Sequence, residues 1–350
     1  MNPGSIKKIY DNLQDDESKE VFEDRLLYSL TGDFNFIFKL TEIYEDNKEI
    51  ITQIKSYNKE KQTILYGAGL LSKVILSSFS IESFFCICDS AEDKWGMKLN
   101  EYTIISPYDM YKIYDDNVVV ISIFNRIKAN DVKETLLNHG IPIERIILYI
   151  DLVRECDTSR YFPTDIIHLS EKEIFIDAGC FDFHTSLDFI EKVKKYSKII
   201  AFEPNPAQYK VCSENAKDIK NVTVYECGLW NKSTTLSFSS KKDNPGAVHI
   251  TVIDGDKSAD TKVQVVKLDD ILGGEEATFI KMDIEGAELN ALKGAKQTIL
   301  HYKPKLAICL YHKPEDIWEI PEYIINLRDD YKLYLRHHSV TYFDTVLYAV

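Results

Sequence analysis

In the second half of the chain four apolar, β-branched runs each end in a polar residue able to do chemistry. Asp177 closes the run in EIFIDAGCF, Glu203 that in KIIAFEPNP, Asp283 that in TFIKMDIEGAE, and His312 follows KLAICLY. Runs that are apolar throughout, rather than alternating, suit strands covered on both faces, as in a parallel sheet. Parallel strands need crossovers, and helical stretches separate most of these runs. ELNALKGAKQTIL (288–300) puts Leu289, Leu292, Ala295 and Ile299 on one face, as expected of a helix lying on such a sheet. Open α/β sheets bind ligands beyond the carboxyl ends of their strands. One acid there is an ordinary strand-end cap; four strands ending alike point to a site. The last two runs, YKLYLRHH (331–338) and DTVLYAV (344–350), are joined by a short turn region, which predicts an antiparallel hairpin ending the sheet.

A second, smaller α/β pattern precedes this one. TILY (63–66), SFFCIC (83–88), VVVISI (118–123) and RIILYI (145–150) read as buried strands. Gly67-Ala68-Gly69 follows the first and Asp89 ends the second, half of a Rossmann-type βαβ unit. The glycines would admit a phosphate at a helix N-terminus, and the acid would accept from ribose hydroxyls. Ser72 stands where a full GxGxxG has its third glycine, so Gly67, Gly69 and Asp89 are read either as an auxiliary nucleotide or nucleotide-sugar site or as a turn that binds nothing. The expected organisation is a helical cap at 1–60, a Rossmann-like auxiliary domain at 61–150, a linker at 151–170 and a larger α/β domain at 171–350.

Composition narrows the partners. With 45% hydrophobic and 28% charged residues the chain is an ordinary globular one, and a net charge of −14 repels phosphate backbones, which excludes nucleic acid as an expected partner. There is no apolar run long enough for a membrane span and no apolar N-terminal segment of a signal peptide, so a cytoplasmic protein is expected. The 7 cysteines are odd in number and lack a CxxC pair, against a disulfide framework or a structural zinc site.

The ordered motifs FIDAGCF, AFEPNP, KMDIEGAE, YHKPEDIWEIPEYI, YLRHH and DTVLYAV cover about 180 residues and resemble the FkbM family of class I methyltransferases. The resemblance implies an S-adenosylmethionine-dependent enzyme, with S-adenosylhomocysteine as product and usually a hydroxyl oxygen as acceptor. It places Asp177 and Gly179 at the methionine end of the cofactor and Glu203 at its ribose. Glu226, Cys227 and Gly228 fall beside the adenine, and Asp283 and Glu285, the acids of the DxEG signature, where cofactor and acceptor meet. The family usually has a further glycine in its first motif, where this chain has Phe183.

The expected catalytic residues are His312, Asp283 and Glu285. A neutral imidazole near its ordinary pKa makes His312 the first choice of general base, with the two acids as competitors. Lys281 shares strand parity with Asp283, so the two are expected to pair. His337 and His338, adjacent in a strand, face opposite ways, so at most one enters the site. Asp283, Glu285, Glu288 and His312 would make a cation site if they converged; no metal is expected. The long connection 237–270, with Lys241, Lys242 and His249, is where acceptor selectivity is sought. The reading is O-methylation of a sugar, nucleotide-sugar or secondary metabolite, with homo-oligomerisation left open. The alternatives are a nucleotide-sugar oxidoreductase or epimerase using the Gly67 turn, and a noncatalytic nucleotide-binding protein.

Overall fold

The computed structural model describes residues 2–43, 45–60, 62–78, 84–152, 158–239, 251–252 and 261–350. The chain divides into two compact units, Met1–Phe22 with Asp157–His337 and Asp344–Val350, and Glu23–Cys156 with His338–Phe343.

The first helix, α1 (Pro3–Asn12), begins at Asn2, whose side chain accepts from the Gly4 amide at 2.9 Å, with proline at the first helical position. Helices α2 (Asp16–Thr31), α3 (Asn35–Glu42) and α4 (Glu45–Lys59) follow, and α2 and α3 are separated at Gly32, which takes a φ of +69°. The next elements are β1 (Thr63–Tyr66), α5 (Leu70–Ser78), β2 (Phe84–Cys88), β3 (Lys98–Leu99), β4 (Tyr102–Ile105), α6 (Pro107–Ile113), β5 (Val118–Ile121), α7 (Arg126–Asn138) and β6 (Ile146–Leu148). The strands form one sheet of order β3-β4-β2-β1-β5-β6, parallel except between β3 and β4. The central strands β1 and β5 are buried at every residue, which accounts for their unbroken apolar sequence.

The other unit contains β7 (Ile174–Ala178), α8 (His184–Val193), β8 (Lys198–Phe202), α9 (Pro206–Ala216) and β9 (Val222–Tyr225). After these come β10 (Gly228–Leu229), β11 (Thr234–Ser239), β12 (Thr251–Val252), β13 (Thr261–Val266) and α10 (Leu268–Leu272). The chain continues through β14 (Phe279–Met282), α11 (Glu288–Gly294), α12 (Lys296–Tyr302), β15 (Lys305–Cys309), α13 (Asp316–Leu327), β16 (Leu333–His337) and β17 (Thr345–Ala349). The main sheet has the order β16-β17-β15-β14-β7-β8-β9. It is parallel from β15 to β9, while β17 runs antiparallel to both its neighbours, so the expected hairpin is present. The connection between β9 and β14 carries its own small sheet, in which β11 pairs antiparallel with β13. Lys241, Lys242 and His249 lie outside the described residues.

One face of the main sheet is filled by aromatic rings. Phe175 stacks on Phe189 with centroids 4.5 Å apart, and Phe162 meets Phe175, Phe189 and Phe279 at 5.6–5.9 Å. Phe162, with Tyr161, Ile166 and Ile167 of the stretch 151–170, is buried in this core. The helix read across 288–300 is two helices that meet at Ala295. Gly294 passes so near Trp230 that a Cβ on it would lie 2.0 Å from the Trp230 carbonyl oxygen. The buried face Leu292, Ala295 and Ile299 is as expected.

At the sheet edge the N-terminal segment joins the last strands. Gln14 N donates to Leu333 O at 3.1 Å, Leu13 bridges to Leu333, and Ser5 Oγ and Lys8 Nζ donate to Glu322 and Asn326 of α13 at 2.6 and 2.7 Å.

Candidate active site

Asp177, Glu203, Glu226, Asp283 and His312 all lie at the carboxyl edge of one sheet, on or just past β7, β8, β9, β14 and β15. Parallel register produces this alignment: Asp177 is level with Ala201 of β8 and Lys281 of β14. What each side chain does there differs.

Asp177 turns inward. It is fully buried; Oδ2 accepts from Ser186 Oγ at 2.7 Å and Oδ1 from Lys281 Nζ at 3.1 Å. Lys281 also donates to the carbonyls of Ala178 and Gly179, at 3.2 and 2.7 Å. The pairing expected between Lys281 and Asp283 is therefore a pairing with Asp177, because the two residues face each other across neighbouring strands. Burial alone would lower the Lys281 pKa, but Asp177, and then Asp283, outweigh it and raise it, so the ammonium stays charged beneath the 179–183 turn.

Gly179, at φ +76°, is required by contact: a Cβ would sit 1.9 Å from the Asp283 carbonyl oxygen. Beyond it Phe181 and Phe183 both have positive φ, +48° and +73°, a region that favours glycine. Phe181 is 58% exposed, whereas Phe183 is fully buried in the aromatic core. The Phe183 ring thus packs into the core and not on the exposed side of the turn.

Glu203, 7% exposed, is held by two backbone donors: Oε1 accepts from Asn205 N at 2.8 Å and Oε2 from Phe181 N at 3.1 Å. Burial pushes its pKa up, against the pull of those two amides. Each oxygen retains a further lone pair, the chemistry needed to accept from a pair of neighbouring hydroxyls. Gly228 lies close by, 3.7 Å from Pro204 at the Cβ position, with Cys227 buried and Glu226 exposed.

The richest cluster is at β14 and β15. Asp283 Oδ2 accepts from Tyr161 at 2.7 Å and Oδ1 from Tyr311 at 2.8 Å, with Arg160 3.7 Å away. Burial would raise its pKa, but Lys281, His312, the Tyr161 hydroxyl and Arg160 bring it down to about 2. His312 has Nε2 3.4 Å from Asp283 and 3.7 Å from Glu285, and Nδ1 2.9 Å from Glu288 Oε1. The expectation of a neutral imidazole gives way here. Burial would lower its pKa, yet Glu288, then Asp283 and Glu285, push it up to about 9, so at neutral pH the ring carries a proton. Glu285 and Gly286 form the turn of the DIEG segment at φ +56° and +90°, and Glu285 leaves its side chain 64% exposed.

Arg160, Tyr161 and Tyr311 were not among the sequence-derived candidates. The first two come from the connecting stretch, and no spacing ties them to Asp283; only the order RYF before the first strand and a tyrosine beside His312 mark them. His337 is buried in β16 and shares a hydrogen bond with Thr345 at 2.8 Å, whereas His338 lies past the strand end.

In the other unit the Gly67 turn is tied to its own acid. Asp89 Oδ2 accepts from Ala68 N at 2.7 Å and from Lys94 Nζ at 2.8 Å, and Oδ1 from Ala91 N at 2.8 Å. Gly67, at φ +111°, packs against Ser122, while a Cβ on Gly69 would meet nothing within 4 Å. The carboxylate expected to face a ribose braces the loop.

Residues 177–338 match the methyltransferase FkbM domain. Among solved structures, methyltransferase FkbM from Methylobacillus flagellatus KT is similar at 20% identity, covering 94% of this chain and 99% of that one, with a TM-score of 0.53. Fibrillarin from Aeropyrum pernix with natively bound S-adenosyl-L-methionine is similar at 11% identity over 55% of this chain and 76% of that one, TM-score 0.33. An rRNA methylase from Streptococcus thermophilus gives 16% identity over 52% and 87%, TM-score 0.34. No curated protein matches the chain. Among the described residues no helix is long and apolar enough to cross a membrane.

Proposed function

We propose, from the match of residues 177–338 to the methyltransferase FkbM domain, that this chain is a methyltransferase acting on a hydroxyl oxygen of a sugar, nucleotide-sugar or secondary metabolite and using S-adenosylmethionine. The carrying observation is that Glu203, the Gly179 turn and the Asp283, Glu285 and His312 cluster share one edge of one sheet. Glu203 has the lone pairs to take the ribose diol, with the backbone of 179–183 and 226–228 on either side of it. Asp177 acts from below, holding Lys281 and through it the carbonyls of Ala178 and Gly179. The cofactor, when bound, supplies an electrophilic methyl group.

Asp283, fixed by two tyrosines and anionic, and His312, cationic at neutral pH, orient the acceptor. Glu285 is the exposed carboxylate at the rim and takes the departing proton. Orientation supplies the larger part of the acceleration, about 7–11 kcal/mol against roughly 3–5 kcal/mol for a proton acceptor. Glu285→Gln is therefore expected to lower kcat by about 10²-fold or more without abolishing turnover.

The deciding experiment is calorimetric titration with S-adenosylmethionine, S-adenosylhomocysteine and NADH, repeated with Glu203→Ala. Binding of both methionine nucleosides, weakened by the substitution, supports the reading and directs work to a screen of hydroxyl acceptors. Binding of NADH alone overturns it.

A further inference from the structure

We propose that Asp283, Glu288 and His312 form a binding site for a divalent metal ion. One donor atom from each lies within 4.8 Å of the others. Metal–oxygen and metal–nitrogen bonds of about 2.0–2.2 Å place ligand atoms about 3 Å apart when adjacent and about 4.3 Å when opposite, so only a small inward movement is needed.

Independent of that spacing, the cluster holds buried polar atoms with nothing to bond. Glu288 is completely buried, and its Oε2 has no hydrogen-bond partner; its Oε1 is fixed by Ile284 N at 2.8 Å. The His312 side chain is 8% exposed, and its Nδ1 makes no hydrogen bond although Glu288 Oε1 is 2.9 Å away, a contact of charge rather than of donor geometry. Buried polar atoms are ordinarily satisfied, and an orphaned pair in one cluster marks a place for a group that would satisfy both.

The surroundings suit a metal. Both oxygens of Asp283 accept tyrosine hydroxyls, the outer support that holds a ligating carboxylate in place. Two carboxylates and one imidazole, which releases its extra ring proton to solvent as the ion binds, are the donors of Mn²⁺ or Zn²⁺ more than of Ca²⁺. Three protein ligands leave coordination positions open, and the open side is the rim where Glu285 stands. The role follows from the methyltransferase reading and rests on it: an acceptor hydroxyl entering an open position would be held by oxygen and made more acidic, its proton passing to Glu285 or water. Binding of the ion does not depend on that reading.

The test uses the full chain, freed of metal with a chelator and titrated with Mn²⁺, free Mn²⁺ being read by its electron paramagnetic resonance signal. One ion per chain is expected, with affinity roughly tenfold or more weaker in Glu288→Gln and in His312→Asn. If Glu288→Gln does not fold, as judged by circular dichroism, His312→Asn decides. No stoichiometric binding up to about 1 mM, or equal binding by wild type and folded variants, overturns the proposal and leaves protonated His312 as the internal counter-ion. S-adenosylhomocysteine is titrated into the same samples. Mn²⁺ binding without nucleoside binding upholds the metal site and sinks the cofactor reading instead.

Discussion

Gly179 is fixed by a neighbour. Its α-carbon lies against the Asp283 carbonyl, at φ +76°, so Gly179→Ala brings overpacking and backbone strain together. A loss of about 3 kcal/mol in urea unfolding is expected, against little change for Gly69→Ala, where a Cβ meets open space. Equal stability of the two variants would refute the contact argument. Phe183 offers a finer comparison, because its buried ring is set on a backbone at φ +73°. Phe183→Ala should cost about 3–5 kcal/mol, and Phe183→Gly about 1 kcal/mol less, since glycine loses the same ring but accepts the left-handed conformation. The polar residues at the strand ends were legible in the sequence because strand ends are where an apolar run stops. Tyr161, Tyr311 and Arg160 were not, since what makes them site residues is their approach to Asp283 from separate segments. The charge on His312 was hidden for the same reason: it comes chiefly from Glu288, five residues past Asp283, the acid that strand logic could place.

At the scale of elements, Glu173 shows how strands are tied at the end remote from the site. It is buried just before β7, where it accepts from Lys305 of β15 at 2.7 Å, from the Thr278 hydroxyl, and from Ser170 N at 2.8 Å. Burial would raise its pKa, but Lys305, Thr278 and Ser170 together bring it below the ordinary 4.5. A carboxyl with a depressed folded-state pKa stabilises above its ordinary pKa, and that contribution disappears as pH falls through the folded value. Wild type should exceed Glu173→Gln in stability by a constant margin above about pH 5, the margin shrinking as pH drops further. Melting curves from pH 3 to 7 check this; a margin that widens on acidification would contradict it. The strands themselves were readable, their runs being apolar throughout. The division of 288–300 into α11 and α12 was not, because a helical glycine does not announce that a distant carbonyl, here that of Trp230, needs its space.

For the whole molecule, residues 1–22 belong to the same compact unit as β7–β17, so the N-terminal segment is part of the unit that carries the candidate site. Ile9, Leu13, Val21 and Phe22 are each at most 3% exposed. Deleting 1–22 should uncover the edge at Leu333 and Leu335, lower the melting temperature of that unit by several degrees, and raise its binding of a hydrophobic dye. Adding the 1–22 peptide in trans should restore part of the loss; unchanged melting on deletion would show the segment to be dispensable.

The last strand of the chain, β17, lies between β15 and β16 rather than at the margin. Leu13 must wait for Leu333, roughly 320 residues later. At synthesis rates of about 5–20 residues per second this is a delay of about 15–65 s. During that interval Leu13 and Gln14 have no edge to join and β15 lacks its outer partner, so this side of the sheet closes only once β16 and β17 have been made.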